Sequence, residues 1–153
     1  MKITIEVDES LKESQLVLRC AGLTEDIMAI QKKLMDLVNQ RQQLLVNRGE
    51  VDYYLVLDEI LLFETTGGQL AVHTANEIYY SKYKLYELEE LLPGSFMRVS
   101  KSSIINTNQV RAIHKNITGA SEVEFVNSNK KTFVSRSYYK ALEIKLREKR
   151  LAR

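Results

Sequence analysis

The feature that most constrains this chain is a change of hydrophobic rhythm near residue 41. Beyond that point the sequence breaks into short apolar runs separated by turn residues, the pattern of a sheet built from many short strands. The runs predict strands at Leu44–Asn47, Tyr53–Leu57, Ile60–Glu64, Gln69–His73 and Glu77–Tyr80, and again at Met97–Val99, Ile104–Asn106, Val110–Lys115, Glu122–Val126 and Thr132–Val134. Thr66-Gly67-Gly68 and Asn127-Ser128-Asn129 are hairpin signals, because glycine and asparagine tolerate the positive φ that tight turns demand. One helix interrupts the strands, from Ser81 to Leu92. Leu85, Leu88, Leu91 and Leu92 recur there at helical spacing until Pro93-Gly94 stops them. A second begins near Ser137, with Tyr138, Leu142 and Leu146 four residues apart. The expected fold is mainly β (α+β overall), with one internal and one C-terminal helix.

In front of this domain, residues 1–41 form a short β/α extension by the same logic. Ile3, Ile5 and Val7 alternate as on a half-buried strand, and Leu16-Val17-Leu18 suggests a second. Thr24 is placed as an N-cap, with Glu25 and Asp26 in the first turn, for a helix over 24–40. Its apolar face carries Ile27, Ile30, Leu34, Leu37 and Val38, broadened by Met28 and Met35. Lys32, Lys33, Asp36 and Asn39 lie opposite. That face suits either packing on its own sheet or contact with another protein, for dimerisation or partner docking. The expected division is therefore 1–41 and 42–153.

Composition closes off other classes. Six Gly, one Pro and one Cys exclude a collagen-like repeat and a disulfide scaffold. No apolar run approaches the roughly 18 to 20 residues of a membrane-spanning helix, and the N-terminus lacks the apolar block of a signal peptide, so a cytoplasmic protein is expected. Catalytic signatures are equally thin. His73 and His114 have no metal-like sequence spacing to Cys20 or a carboxylate, Gly67-Gly68 precedes a strand and not a helix, and no nucleophile is paired with a base. No catalytic residue, metal or cofactor is assigned, and a non-enzyme is favoured.

The net charge of +2 conceals a strong polarity. Residues 1–50 hold 7 basic and 8 acidic side chains, 51–95 hold 2 and 8, and 96–153 hold 13 and 4, so the blocks carry −1, −6 and +9. A basic third of this kind suits a polyanion, since Lys and Arg on phosphates release condensed counterions. An uneven solvated surface is the plainer alternative. Two clusters sharpen the choice: Arg98-Val99-Ser100-Lys101-Ser102-Ser103, and Ser135-Arg136-Ser137 after the last strand. Hydroxyls beside Arg and Lys suit phosphate oxygens and base edges, though either cluster also reads as a capped, solvated loop.

At these residues the sequence resembles the LytTR family of bacterial DNA-binding domains. The resemblance joins Ile60-Leu61-Leu62-Phe63-Glu64, a glycine hairpin, Leu85-Tyr86-Glu87-Leu88-Glu89-Glu90-Leu91-Leu92, Phe96-Met97-Arg98-Val99-Ser100-Lys101-Ser102, Ile104-Ile105-Asn106, Val110-Arg111-Ala112-Ile113 and Val134-Ser135-Arg136, over about residues 44 to 148. It implies an elongated arrangement of small sheets, without a helix-turn-helix, that reads direct repeats of double-stranded DNA from loops in successive major grooves. It also implies binding as a pair, a homodimer at least on DNA.

By the same resemblance Lys101 and Arg136 stand at base-reading positions. Gln69 stands at a third, where this turn is shorter than in other members. Arg136 can pair bidentately with guanine O6 and N7, and Lys101 can reach the same atoms as a point charge. Arg98, Ser100, Ser102, Ser135, Lys130 and Lys131 are expected on the DNA backbone, and Phe63, Phe96, Ile104 and Ile113 in the core. Some 40 residues precede the domain, too few for the receiver domain that many members carry. Control by a partner membrane protein is the corresponding expectation. The competing function is a non-enzymatic protein-interaction or ligand-sensing β module whose basic end binds an acidic partner. RNA binding is disfavoured, because no strand pairs aromatics for base stacking, with Tyr79, Tyr80, Tyr138 and Tyr139 the closest approach.

Overall fold

The computed structural model describes residues 1–38 and 42–151. It divides into two compact units, 1–40 and 41–153.

In the first unit α1 spans Glu25–Val38. Thr24 starts it as expected, its Oγ1 accepting the Ile27 N–H at 3.3 Å and its carbonyl the Met28 N–H at 3.0 Å. The expected strands are absent: neither Ile3–Val7 nor Leu16–Leu18 is in a strand, and Ile3 is 90% exposed. Alternation alone does not hold a strand, which needs a paired neighbour and a covered face. The extension is thus helical and irregular, not β/α. With no strand among the described residues of its own unit, α1 leaves Ile27, Ile30 and Leu34 only half-buried and Met28, Met35 and Val38 exposed. The expected helix end at 39–40, Asn39, the boundary residue 41, and the side chains of Asp36 and Leu37 lie outside what the structure describes.

The second unit is built on ten strands. β1 (Gln43–Arg48) and β2 (Val51–Val56) form a hairpin, followed by a 3-10 turn at Leu57–Glu59. β3 (Leu62–Thr66), β4 (Gln69–His73) and β5 (Ile78–Ser81) form a meander. After α2 (Leu85–Leu91) come β6 (Phe96–Ser100) and β7 (Ser103–Asn106). β8 (Val110–His114), β9 (Ser121–Phe125) and β10 (Lys131–Val134) lead into α3, Arg136–Leu151. A seven-stranded sheet runs β2-β1-β5-β4-β3-β7-β6, and a three-stranded sheet runs β10-β9-β8. All pairings are antiparallel.

The runs Leu61-Leu62-Phe63 and Ile104-Ile105 are continuously apolar because β3 and β7 are covered on both faces. Phe63 and Ile104 point into one core with Leu44, Val72, Leu85 and Leu88. Leu62 and Ile105 point into the other with Val99, Val123, Phe125, Val134 and Leu142. Phe96 and Ile113 pack half-buried at the edges of these cores.

Most expected boundaries shift by a residue or two, and two of the shifts have a clear cause. The helix over Ser81–Leu92 shrinks to Leu85–Leu91, because Ser81 stays in the sheet opposite Leu70. Ser81 Oγ and the Glu87 carboxylate then accept the N–H groups of Tyr83 and Lys84, delaying the helix start. The strand expected from Ile60 begins at Leu62, since the 3-10 turn delivers Ile60 and Leu61 to the core ahead of the ladder.

Candidate nucleic-acid interface

Strand directions decide which basic residues meet. β3 runs up to the two-residue turn Gly67-Gly68, whose φ values of 60° and 79° explain the paired glycines. β7 is antiparallel to β3, with Glu64 opposite Ser103, so the β6–β7 turn at Lys101-Ser102 lies at the same end of the sheet. The two turns are tied directly, the Thr65 N–H donating to the Ser102 carbonyl at 2.8 Å. The start of α3 joins them, because the Ser135 N–H donates to the Val99 carbonyl at 2.9 Å, one residue below the end of β6. Gln69, Lys101 and Arg136, far apart in sequence and all exposed, therefore share one rim.

That rim holds two cations that the sequence reasoning passed over. Ser81 pairs with Leu70, next to Gln69, so the chain leaves β5 at this end and carries Lys82 and Lys84, both exposed. They are the only basic residues in the acidic block 51–95. Their isolation was the signal available; the block total of −6 hid it.

The small polar residues at the rim are committed to one another. Ser100 Oγ accepts the Ser102 N–H at 3.2 Å and lies 3.3 Å from Ser102 Oγ. Ser135 Oγ and Ser137 Oγ are 3.2 Å apart, and the Ser135 carbonyl accepts the first N–H groups of α3, from Tyr138 and Tyr139. Arg98 points along the turn: Nε donates to the Ser100 carbonyl at 2.8 Å, Nη2 to the Lys101 carbonyl at 2.5 Å, and Nη1 to Glu89.

Lys130 and Lys131 are not brought to this rim. β10 runs from Lys131 toward Ser135, so the β9–β10 hairpin lies at the opposite end, against the loop that joins β4 to β5. There Lys130 Nζ donates to the Glu77 carbonyl at 2.7 Å, and burial lowers its pKa below the usual lysine range. Lys131 pairs with Glu122 at 3.2 Å and Glu124 at 3.9 Å. Neither lysine is grouped with Lys101 and Arg136, a placement that follows from strand direction.

His73 lies apart from the rim residues, at the far end of β4. Burial, then the charge of Lys130, pushes the His73 pKa down to about 4, so His73 is neutral near pH 7. His114, Glu122 and Glu124 come together across β8 and β9, within the span a metal could bridge, a juxtaposition their sequence spacing does not reveal. Arg111, His114 and Lys131 already serve these carboxylates as partners, and Arg111 first, then His114, holds the Glu124 carboxyl below its ordinary value. The group works as a salt-bridge network.

The fold is thus a mixed antiparallel one with exposed basic and amide side chains gathered on loops at one end. The family profile for the LytTr DNA-binding domain matches residues 51–147, and the chain belongs to that family. Among solved structures it is similar to the LytTr DNA-binding domain of a methyl-accepting/DNA response regulator from Bacillus cereus. The two share 24% identity and a TM-score of 0.61, over 67% of this chain and 96% of that one, a likeness of fold. Among curated proteins it is similar to uncharacterized HTH-type transcriptional regulators of Staphylococcus aureus. Those of strains NCTC 8325 and N315 are 23% identical over 95% of this chain and 98% of their own length. That span takes in most of the N-terminal unit. In this chain α2 and α3 are separated by five strands, so no helix-turn-helix occurs among the described residues. No helix there is long and apolar enough to cross a membrane.

Proposed function

We propose that this protein is a transcriptional regulator that reads double-stranded DNA through the rim, with Lys101 and Arg136 on base edges and Gln69 as a lesser contact. The observation that carries this reading is the convergence of three separated turns on one end of the sheet, each presenting an exposed donor side chain. Loops suit the role because a rigid sheet fixes where their tips stand. Lys82 and Lys84 add positive charge for phosphates on the same side, and the hydroxyls of Ser100, Ser102 and Ser135 shape the loops as much as they contact the backbone. Its site of action is the cytoplasm, where the DNA is, and the chemistry is binding without a catalytic step.

The protein binds direct repeats as a pair, and the N-terminal unit supplies the surface for a second copy. Its exposed large apolar side chains, among them Ile3, Ile5, Met28, Met35 and Val38, are the ones such a contact would cover. Sedimentation with Met35→Glu tests this: loss of a dimer supports the surface. A wild-type monomer, alone and on DNA, overturns it, and a dimer formed only with a regulatory membrane protein reassigns it.

The main reading is tested by selecting bound duplexes from a random pool. A direct repeat in the selected sequences, with steep salt dependence of binding, is the expected result. No enrichment, together with tight binding to an acidic protein, would favour the interaction-module reading instead.

A further inference from the structure

We propose that Glu89 and Arg98 form a clamp that sets the pose of Lys101, so that Arg98 is a positioning residue and not a phosphate contact. The proposal rests on the DNA-reading role of the rim.

The β6–β7 connection is a two-residue turn, Lys101-Ser102, between the paired Ser100 and Ser103. A bulge between Arg98 and Ser100 turns Val99 fully into the core, which anchors the strand just below the turn. Above that anchor nearly every backbone polar group is tied. The Ser102 carbonyl takes the Thr65 N–H, the Ser102 N–H goes to Ser100 Oγ, and the Ser100 and Lys101 carbonyls both accept from Arg98. What projects from the turn is the Lys101 side chain.

Arg98 can hold two carbonyls at once because the guanidinium is a planar fork with donors at fixed angles. Its third direction is taken by Glu89, on a helix whose Leu85 and Leu88 are in the core. The turn is therefore referenced to α2 through one carboxylate and one guanidinium. The Arg98 side chain is 23% exposed and that of Glu89 44% exposed, so the pair contributes little to global stability. Its effect is local: a base-reading side chain discriminates only if its backbone is held in the productive pose. Arg98, drawn to phosphates by its charge when read in sequence, is directed inward by the structure.

The acidic member makes the test decisive. Removing a negative charge from a DNA-facing rim should, by electrostatics alone, strengthen binding to every duplex. The clamp predicts the reverse for the selected site: Glu89→Gln weakens it roughly five- to tenfold while binding to random duplex stays level or rises. Arg98→Lys keeps the charge but loses the fork, and should reproduce that pattern with an unchanged salt slope. In DNA-free protein, backbone relaxation measured by NMR should show Ser100–Ser102 more mobile in Glu89→Gln than in wild type, with the thermal midpoint preserved. The clamp is overturned if the turn stays equally rigid. It is also overturned if Arg98→Ala weakens specific and random duplexes alike with the salt slope smaller by about one, the signature of a lost phosphate contact. A wild-type protein with no sequence preference would instead sink the DNA-reading role, and the relaxation measurement would still judge the clamp.

Discussion

The two ends of the domain both carry lysine and arginine, and they use them in opposite ways. At the β9–β10 end, Lys130 is folded onto a backbone carbonyl, Lys131 and Arg111 are matched to Glu122 and Glu124, and the cations hold the chain to itself. At the rim, the self-satisfied groups are backbone carbonyls, serine hydroxyls and Arg98, while Lys101 and Arg136 stand exposed with no ion-pair partner among the described residues. The difference teaches that a basic residue becomes a candidate contact only after the chain's own acceptors have taken their share. Polyanion binding draws on the remainder.

The largest expected effect falls on the rim. Arg136→Ala and Lys101→Ala should each cost about 1–3 kcal/mol on the selected site and relax base choice at one position of each repeat, as measured by competition with single-base variants. Equal losses on specific and random duplexes would make these residues phosphate contacts and blur the contrast between the ends.

A comparable but purely structural loss is expected at the β3–β4 turn. Gly68→Val puts a β-branched side chain at φ 79°, with open space around it, so the cost is backbone strain and not collision. Urea unfolding should register about 1–2 kcal/mol, and the Gln69 side of the rim should lose its register.

At the far end, His73 ties stability to pH. The fold keeps its imidazole neutral by burial and by Lys130, and Glu64, 3.6 Å from Nε2, does not restore the charge. The folded pKa lies below the unfolded one, so this contribution is complete above about pH 6.5 and is lost as pH falls toward about 4. His73→Gln should flatten that part of the stability profile by on the order of 1 kcal/mol, allowing for partial solvent access. An identical profile in wild type and variant would contradict it.

The smallest effect sharpens the comparison most. Lys130→Ala should leave binding to specific and random duplexes unchanged and cost about 1 kcal/mol of stability, through the lost bond to Glu77. A uniform loss of DNA affinity would return Lys130 to the DNA backbone and undo the contrast between the two ends.

Much of the domain was legible in advance because its strands are short, bounded by turn residues and rich in β-branched and aromatic side chains. Gln69–His73 was placed to the residue, and the Gly67-Gly68 turn follows from backbone sterics alone. The failures have physical causes as specific as the successes. Ile3, Ile5 and Val7 have strand alternation but no neighbouring strand, so no strand forms. Ser81 fits the start of a helix but has a ladder partner in Leu70, and the ladder wins. Sequence likewise does not reveal that two carbonyls and a carboxylate lie within reach of the Arg98 fork.

By itself the sequence determined the class of fold, the position of the tight turns, the concentration of positive charge in the final third and the residue types able to read a base. These follow from local sterics, periodicity and composition, which need no knowledge of distant neighbours. Only the tertiary structure decided which of those charges stand together. Whether Lys101, Arg136, Gln69, Lys82 and Lys84 share an end, and Lys130 and Lys131 the other, depends on strand direction and register across residues up to dozens of positions apart. It also decided which cations remain available, because that depends on where carbonyls and carboxylates come to lie once the chain has closed on itself.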